Sequence, residues 1–403
     1  MTKHVLLVVE NVSLARDHRL RKQATSLRAA GLAVTVICRR DPDNHQLDGV
    51  RVLDYPAPAD AEGRLAFLWE YGYSWVRAAA LTWRVYLSRP FDLIQVSGTP
   101  DIYFTIAAPF RLLGVPLVLD QRDLSPEVYA ARFGTAKGLV YRALLACERF
   151  SFRAADHVVT VNESLRVVAQ ERGGLPAEAV TVVGNGPRTS RTIDRPTLSA
   201  PPLGAEAGYV CCWVGLMGPQ DRLDLVLRAV AHLVHQLGRN DVRMVLIGDG
   251  EERPRAERLV DELAIRPHVE LTGWLQEDEV FDRLRAADVG LEPNMEPVVS
   301  PVKVMEYMAC GLPFVAFDLP ESRALGGDSG EYVTPGDVVA FAEAVERLLD
   351  DADRRAKLGQ AGRRRVIERI AWEHQETAYL RVFRNLLAQP RRRRPSRSPV
   401  TST

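Results

Sequence analysis

Residues 187–208 read PRTSRTIDRPTLSAPPLGAEAG, and this stretch divides the chain. Pro187, Pro196, Pro201 and Pro202 stand among Ser, Thr and Gly, the composition of a connecting segment. On either side the same rhythm runs. Before it come the apolar segments HVLLVVE (4–10), AVTVIC (33–38), DLIQVSG, PLVLD, HVVTVN and VTVVGNG, with helical patterns such as HRLRKQATSLRAAG (18–31) between them. After it come YVCCWVG, VRMVLIGDG, HVELTGW, VGLEP and PFVAFD, with helices expected from Leu223, from Glu251, near Glu277 and from Pro301. Strands apolar throughout and separated by helices pair in parallel, with both sheet faces covered. The expectation is an α/β protein of two Rossmann-like doubly wound domains facing a cleft. Its parts are 1–186, the linker 187–208, a second domain over 209–370, a C-terminal helix at 371–389 that packs on the first domain, and a disordered basic tail at 390–403 (PRRRRPSRSPVTST).

The 403 residues suffice for two cores, and 46% of them are hydrophobic. Formal net charge is zero, so no overall field draws the protein to nucleic acid. Five cysteines, with no CxxC, argue against a disulfide framework or a zinc site. The apolar run at the N-terminus is too short for a signal core, and no stretch approaches a bilayer span. A cytoplasmic location follows, with attachment to the inner face of the cell membrane open. Asp41-Pro-Asp43 and Asp351-Ala-Asp353 are DxD patterns without partners and read as surface turns, so no metal site is expected.

In open parallel sheets ligands bind beyond the carboxyl ends of the strands. Gly215-Leu-Met-Gly218 follows one strand, where glycine lets backbone N–H groups approach a phosphate. Gly248-Asp-Gly250 occupies the same kind of place, and a plain turn explains Asp249. No dinucleotide fingerprint follows the first strand of either half, which speaks against a nicotinamide cofactor. The stretch SPVKVMEYMACGLPFVAFD (300–318) places Ser300 as a cap and Pro301 at the first helical position. Lys303 then sits in the first turn, against the helix dipole, with Glu306 on the same face. That cost makes sense where an anion is held: Lys303 and the free N–H groups clamp a diphosphate, and Glu306 takes ribose hydroxyls. The alternative is a solvated ion pair between the two.

These residues carry a resemblance. The C-terminal half, and with it most of the chain, resembles the retaining family-4 glycosyltransferases of GT-B fold. MEYMACGLPFVAFD is similar to the segment whose acidic residue binds the donor ribose, which falls on Glu306. WVGLMGPQDRLDLVLRA resembles the first phosphate loop, and LTGWLQEDEVFDRLRAADVGLEPN the stretch that holds the base, near Gly273 and Trp274. DHRLRKQATSLRAAGLAVTVI, LDQRDLSPE and VVGNGPR are similar to a bacterial subgroup making cell-surface polysaccharides. The chain departs from the family pattern at Val298, where a Glu is usual, at Leu216 and Asp221, where Arg and Lys are usual, at Arg222, where Gly is usual, and at Arg122, where His is common.

The resemblance implies transfer of a sugar from a nucleotide-sugar to a glycan or polyprenyl-linked acceptor, with retention, without metal and without a cofactor. Lys303, Arg222 and the amides at Gly218 and Ser300 are the candidates to stabilise the leaving diphosphate. Asp123 is the candidate to position or deprotonate the acceptor hydroxyl, with Asp17, Arg19, Asp120 and Arg122 shaping its pocket. For the aspartates, helix and loop capping is the alternative. A GT-B-like epimerase and an inactive sugar-nucleotide-binding protein are the other functional readings. KGLVYRALLACERFSFR (137–153), the aromatics of 66–87 and the tail arginines make an anionic membrane surface a candidate partner.

Overall fold

The structure is a computed structural model and describes residues 2–10, 12–57, 64–98, 101–192 and 208–389. The basic tail and most of the linker lie outside the described residues. The chain forms two units, one of residues 1–184 with 376–403 and one of residues 185–375.

The first unit holds seven parallel strands: β1 His4–Val9, β2 Ala33–Arg39, β3 Val50–Tyr55, β4 Leu93–Ser97, β5 Leu117–Gln121, β6 His157–Thr160 and β7 Val180–Val182. Their order is β3-β2-β1-β4-β5-β6-β7. The order reverses direction between β1 and β4, which marks the ligand edge of such a sheet. β1 is buried along its whole length because helices cover both faces. Leu6, Val8, Ile94 and Val96 pack on one side with Phe91, Tyr103 and Phe110. On the other, Tyr379 of the terminal helix Trp372–Ala388 donates to Gln95 Oε1 at 2.8 Å.

The second unit holds six parallel strands: β8 Tyr209–Val214, β9 Val242–Ile247, β10 Val269–Gly273, β11 Val289–Glu292, β12 Phe314–Phe317 and β13 Gly330–Val333. Their order is β10-β9-β8-β11-β12-β13, so its switch point falls between β8 and β11. Alternate residues of β8 feed opposite cores, as strand geometry requires. Cys211 and Trp213 pack with the helices Leu223–His235 and Val338–Asp350. Val210 and Cys212 pack with the helix Val302–Cys310.

The structure adjusts three expectations. β3 and β13 are strands that the apolar pattern does not reveal. Both are sheet edges with half-exposed residues, so their sequences VRVLDY and GEYV need not be apolar throughout. The return to the first unit begins at Glu376, within the terminal helix, rather than at 371. And the segment after Gly186 is partly ordered: Trp372 N–H donates to Pro187 O at 2.9 Å, and a short helix spans Thr189–Thr192.

Candidate functional site

The side chains of interest collect at the carboxyl ends of β8, β9, β10 and β11. The loop after β8 and the loop after β9 lie on one another. Gly215 N–H donates to Ile247 O at 3.0 Å, and Met217 N–H to Asp249 O at 2.9 Å. A Cβ on Gly248 would lie 1.9 Å from the Gly215 carbonyl oxygen, and its φ of 133° suits only glycine. Gly248 is therefore a packing requirement of the phosphate-loop candidate. Gly273, ending β10, accepts from Gly248 N–H at 3.1 Å, and Trp274 beyond it is exposed.

The helix Val302–Cys310 buries Val304, Met305, Tyr307, Met308 and Ala309 and ends on left-handed Gly311. Tyr307 Oη donates to Leu291 O at 3.1 Å, which docks the helix on β11. Lys303, one turn before Tyr307 on the same side of the helix, is thereby held at the end of β11, where Glu292 stands. Pro301 is the N-cap and the helix starts at Val302. The helix thus starts one residue later than expected, and Ser300 makes no cap, because Pro301 takes a non-helical ψ of 82°.

Lys303 Nζ lies 3.0 Å from Asp221 Oδ1, 3.6 Å from Glu292 Oε2 and 5.2 Å from the centre of the Trp213 ring. Burial opposes the ammonium charge, but Glu292 and Asp221 outweigh it, and the Lys303 pKa is raised. Glu292, at the end of β11, is 1% exposed, and burial pushes its pKa up against the pull of Lys303. Its Oε1 accepts from Asn294 N–H at 3.0 Å. Glu306 is half-buried one turn deeper.

In the phosphate-loop candidate the polar groups pair within the protein. Arg222 has left-handed backbone, φ 47°, which accounts for glycine being usual there. Its guanidinium makes a two-pronged pair with Asp224, at 2.9 and 3.0 Å, so its charge is met within the loop. The Gly218 N–H turns to Leu216 O at 2.9 Å and to Asp221 Oδ2 at 3.3 Å. The cation missing from this loop is brought to it from the helix: Lys303 stands against Asp221. Sequence reasoning placed Lys303 near a diphosphate but missed Glu292. A carboxylate ending an otherwise apolar strand was the available signal.

In the first unit, four expected acceptor residues form one internal ion network. Arg19 donates through Nη2 to Asp120 Oδ1 at 2.7 Å and through Nη1 to Val183 O at 2.7 Å. Gln23 and Arg122 donate to Asp120 Oδ2 at 3.1 and 2.9 Å. Arg122 also pairs with Asp17, which caps the helix His18–Ala29 by accepting from Leu20 N–H at 2.8 Å. Asp120 is 1% exposed. Burial alone would raise its pKa, but Arg19 and Arg122 hold it well below the usual carboxylate range. A carboxylate so enclosed needs these partners to stay charged, and Asp17 caps the helix as its alternative reading had it. Asp123, by contrast, is exposed on the loop after β5, though the protein around the loop raises its pKa.

Among the described residues no helix is long and apolar enough to cross a membrane, and no group of His, Cys, Asp and Glu could hold a metal. The five cysteines are free.

Comparison with known proteins agrees over both units. Residues 17–186 match the family described as "Glycosyl transferase 4-like domain", and residues 208–351 match "Glycosyl transferases group 1". The chain is 29% identical to the 2-deoxystreptamine glucosyltransferase of Streptomyces kanamyceticus over 377 residues, 88% of this chain and 92% of that one. It is 31% identical to the alpha-maltose-1-phosphate synthase of Mycolicibacterium smegmatis over 304 residues, 69% and 75% of the two chains. In fold it is similar to sucrose-phosphate synthase from Thermosynechococcus elongatus, with a TM-score of 0.76 at 19% identity over 96% and 99% of the chains. It is likewise similar to Anabaena HepE in complex with UDP-glucose, with a TM-score of 0.72 at 17% identity over 94% and 99%.

Proposed function

We propose that this chain, which belongs to the family-4 glycosyltransferases of GT-B fold and is a glycosyltransferase, takes its sugar from a nucleotide-diphosphate donor and transfers it with retention. The observation that carries the reading is Lys303. It lies at the switch point of the second sheet, against the one loop in this unit where the family places phosphate and where this chain has Asp221 in place of a cation. Breaking the sugar–phosphate bond puts new negative charge on the diphosphate, and a cation already fixed in a dry site stabilises it most. Lys303 is preorganised by Asp221 and Glu292. The first N–H groups of the helix Val302–Cys310 add their dipole. Glu306 accepts from the ribose hydroxyls, and exposed Trp274 offers a face to the base. In this reading Lys303 supplies the charge that a divalent metal supplies in other transferases.

The names of similar proteins support this donor class. HepE is described in complex with UDP-glucose, and the Streptomyces relative is a glucosyltransferase. The epimerase and inactive-binder readings have no comparable support. For the acceptor we favour a glycan or lipid-linked sugar, with Asp123 receiving its hydroxyl proton. The test is thermal unfolding with UDP and with GDP. One of them raises the melting temperature of the wild type and fails to do so in Glu306→Ala. An equal shift in both proteins refutes the donor assignment.

Attachment to an anionic membrane is part of the proposal. The helix Leu139–Ala154 exposes Leu139, Val140 and Phe150 with Arg142, Arg149 and Arg153, and the helix Arg64–Ser88 exposes Trp69, Val76, Trp83 and Leu87. Apolar side chains mixed with arginines suit a lipid surface. Flotation with phosphatidylglycerol vesicles, reduced in Trp83→Ser/Leu87→Ser, is the expected result. Flotation unchanged by that double substitution counts against this face.

A further inference from the structure

In the second unit a single ammonium, that of Lys303, faces two carboxyl groups, those of Asp221 and Glu292. A diphosphate gains the full attraction of that ammonium only when one of the two gives way. They are not equally fixed. Glu292 ends β11, is 1% exposed, and its Oε1 is held by the Asn294 N–H at 3.0 Å. Asp221 stands on the loop after β8, with its side chain 14% exposed. Its two oxygens both lie against groups that bind anions. Oδ1 is 3.0 Å from Lys303 Nζ, and Oδ2 accepts at 3.3 Å from the Gly218 N–H, which also turns to Leu216 O. One oxyanion bridging an ammonium and a glycine amide is the pattern that two oxygens of a phosphate group make with the same donors.

We propose that Asp221 is a resident anion: its carboxylate keeps the place of a donor phosphate in the free chain, and the incoming diphosphate displaces it from Lys303 and from the Gly218 N–H. This rests on the donor reading of the same site and adds the residue that opposes binding there and so sets the affinity. The surroundings allow the exchange. The turn Pro219–Asp221 is closed by the main chain, since Asp221 N–H donates to Gly218 O at 3.1 Å, so it does not need the carboxylate. The next residue, Arg222, is tied to Asp224 at 2.9 and 3.0 Å and stays in place when the Asp221 side chain turns. The lysine is held independently. Its ammonium lies 5.2 Å from the centre of the Trp213 ring, and a Cβ added to Gly215 would stand 3.4 Å from Lys303 Cε. Asp221 thus steadies the ammonium while the site is free, and Glu292 and Trp213 keep it there once Asp221 has left.

The test is calorimetric titration of the full chain with UDP and with GDP, in the wild type and in Asp221→Asn. Asparagine keeps the size and one acceptor oxygen, turns a charge-assisted contact into a neutral one, and no longer repels a phosphate. Asp221→Asn is expected to bind the nucleotide about tenfold more tightly than the wild type. Binding by Asp221→Asn alone also supports the proposal, since the carboxylate then closes the site outright. Wild-type binding that Asp221→Asn leaves unchanged or weakens overturns it: Asp221 then only orients Lys303, and the donor reading stands. Binding of neither nucleotide to either protein sinks the donor reading and the resident anion with it. A crystal of the wild type with its nucleotide gives a readout that needs no variant. A phosphate oxygen is expected on Lys303 Nζ, with Asp221 Oδ1 moved out of hydrogen-bond reach. Phosphate bound on Lys303 while the contact with Asp221 persists overturns the proposal and leaves the donor reading intact.

Discussion

Replacing Lys303 with Met separates what this lysine does for the fold from what it does for the donor. Methionine keeps the length and removes the charge. At an effective dielectric of about 20, unit charges at the observed 3.6 Å from Glu292 attract by about 4.6 kcal/mol, and at the 3.0 Å from Asp221 by about 5.5 kcal/mol. Desolvation cancels much of this, since Lys303 is 14% exposed and Glu292 1%. Removing one member of such a pair costs about 3–5 kcal/mol, because the other is stranded. Loss of the cation over the Trp213 ring adds about 1 kcal/mol. Lys303→Met is therefore expected to destabilise the second unit by about 3–5 kcal/mol. Adding Glu292→Gln removes the stranded charge and is expected to restore more than half. Binding follows a different rule. Both variants lack the cation, so both are expected to bind UDP at least about 30-fold more weakly, a loss of about 2 kcal/mol. Denaturant unfolding and titration calorimetry on the three proteins give both numbers. If the double variant is stable and binds UDP within threefold of wild type, Lys303 is only a strut and the reasoning fails.

Three further substitutions test the surrounding structure. Gly248→Ala forces a Cβ against the Gly215 carbonyl at a backbone conformation alanine rarely adopts, so it is expected to lose the UDP-induced thermal shift while the first unit unfolds as before. Asp120→Asn leaves Arg19 and Arg122 buried beside a neutral amide, and a loss of about 3–5 kcal/mol is expected in denaturant unfolding of the first unit. Glu10→Gln probes pH. Burial lifts the Glu10 pKa from 4.5 to about 10, so between these values the folded chain holds a proton that the unfolded chain has released. Wild-type stability contributed by this group is full below 4.5 and falls as pH rises through that window, by at most about 1.4 kcal/mol per unit. Glu10→Gln is expected to gain on the wild type from pH 5 to pH 8 in denaturant midpoints. A constant difference between the two contradicts the buried, protonated carboxyl.

The strands buried on both faces were legible because a parallel sheet covered by helices leaves no polar face. β1, β8 and β12 announce themselves by composition alone. The edges β3 and β13 did not, since a strand paired on one side tolerates Arg, Asp and Glu. In the site, Lys303 and Glu306 were visible as charges three apart in an apolar helix. Their surroundings were not. Asp221 and Lys303 are 82 residues apart in the chain, and nothing local in either segment says that they meet. The same holds for Arg19 and Asp120, 101 residues apart, whose pairing neither segment announces. Glu10 was read as the end of a strand; that its carboxylate oxygens meet no hydrogen-bond partner among the described residues is a property of the packed unit alone.

The central claim is that the donor diphosphate is held at the start of the helix Val302–Cys310. A crystal structure of the chain with the nucleoside diphosphate that raises its melting temperature tests this most directly. The account predicts phosphate oxygens within hydrogen-bond reach of Lys303 Nζ and the first N–H groups of that helix, with the ribose hydroxyls on Glu306. A nucleotide bound elsewhere, with Lys303 still closed on Asp221 and Glu292, would contradict it.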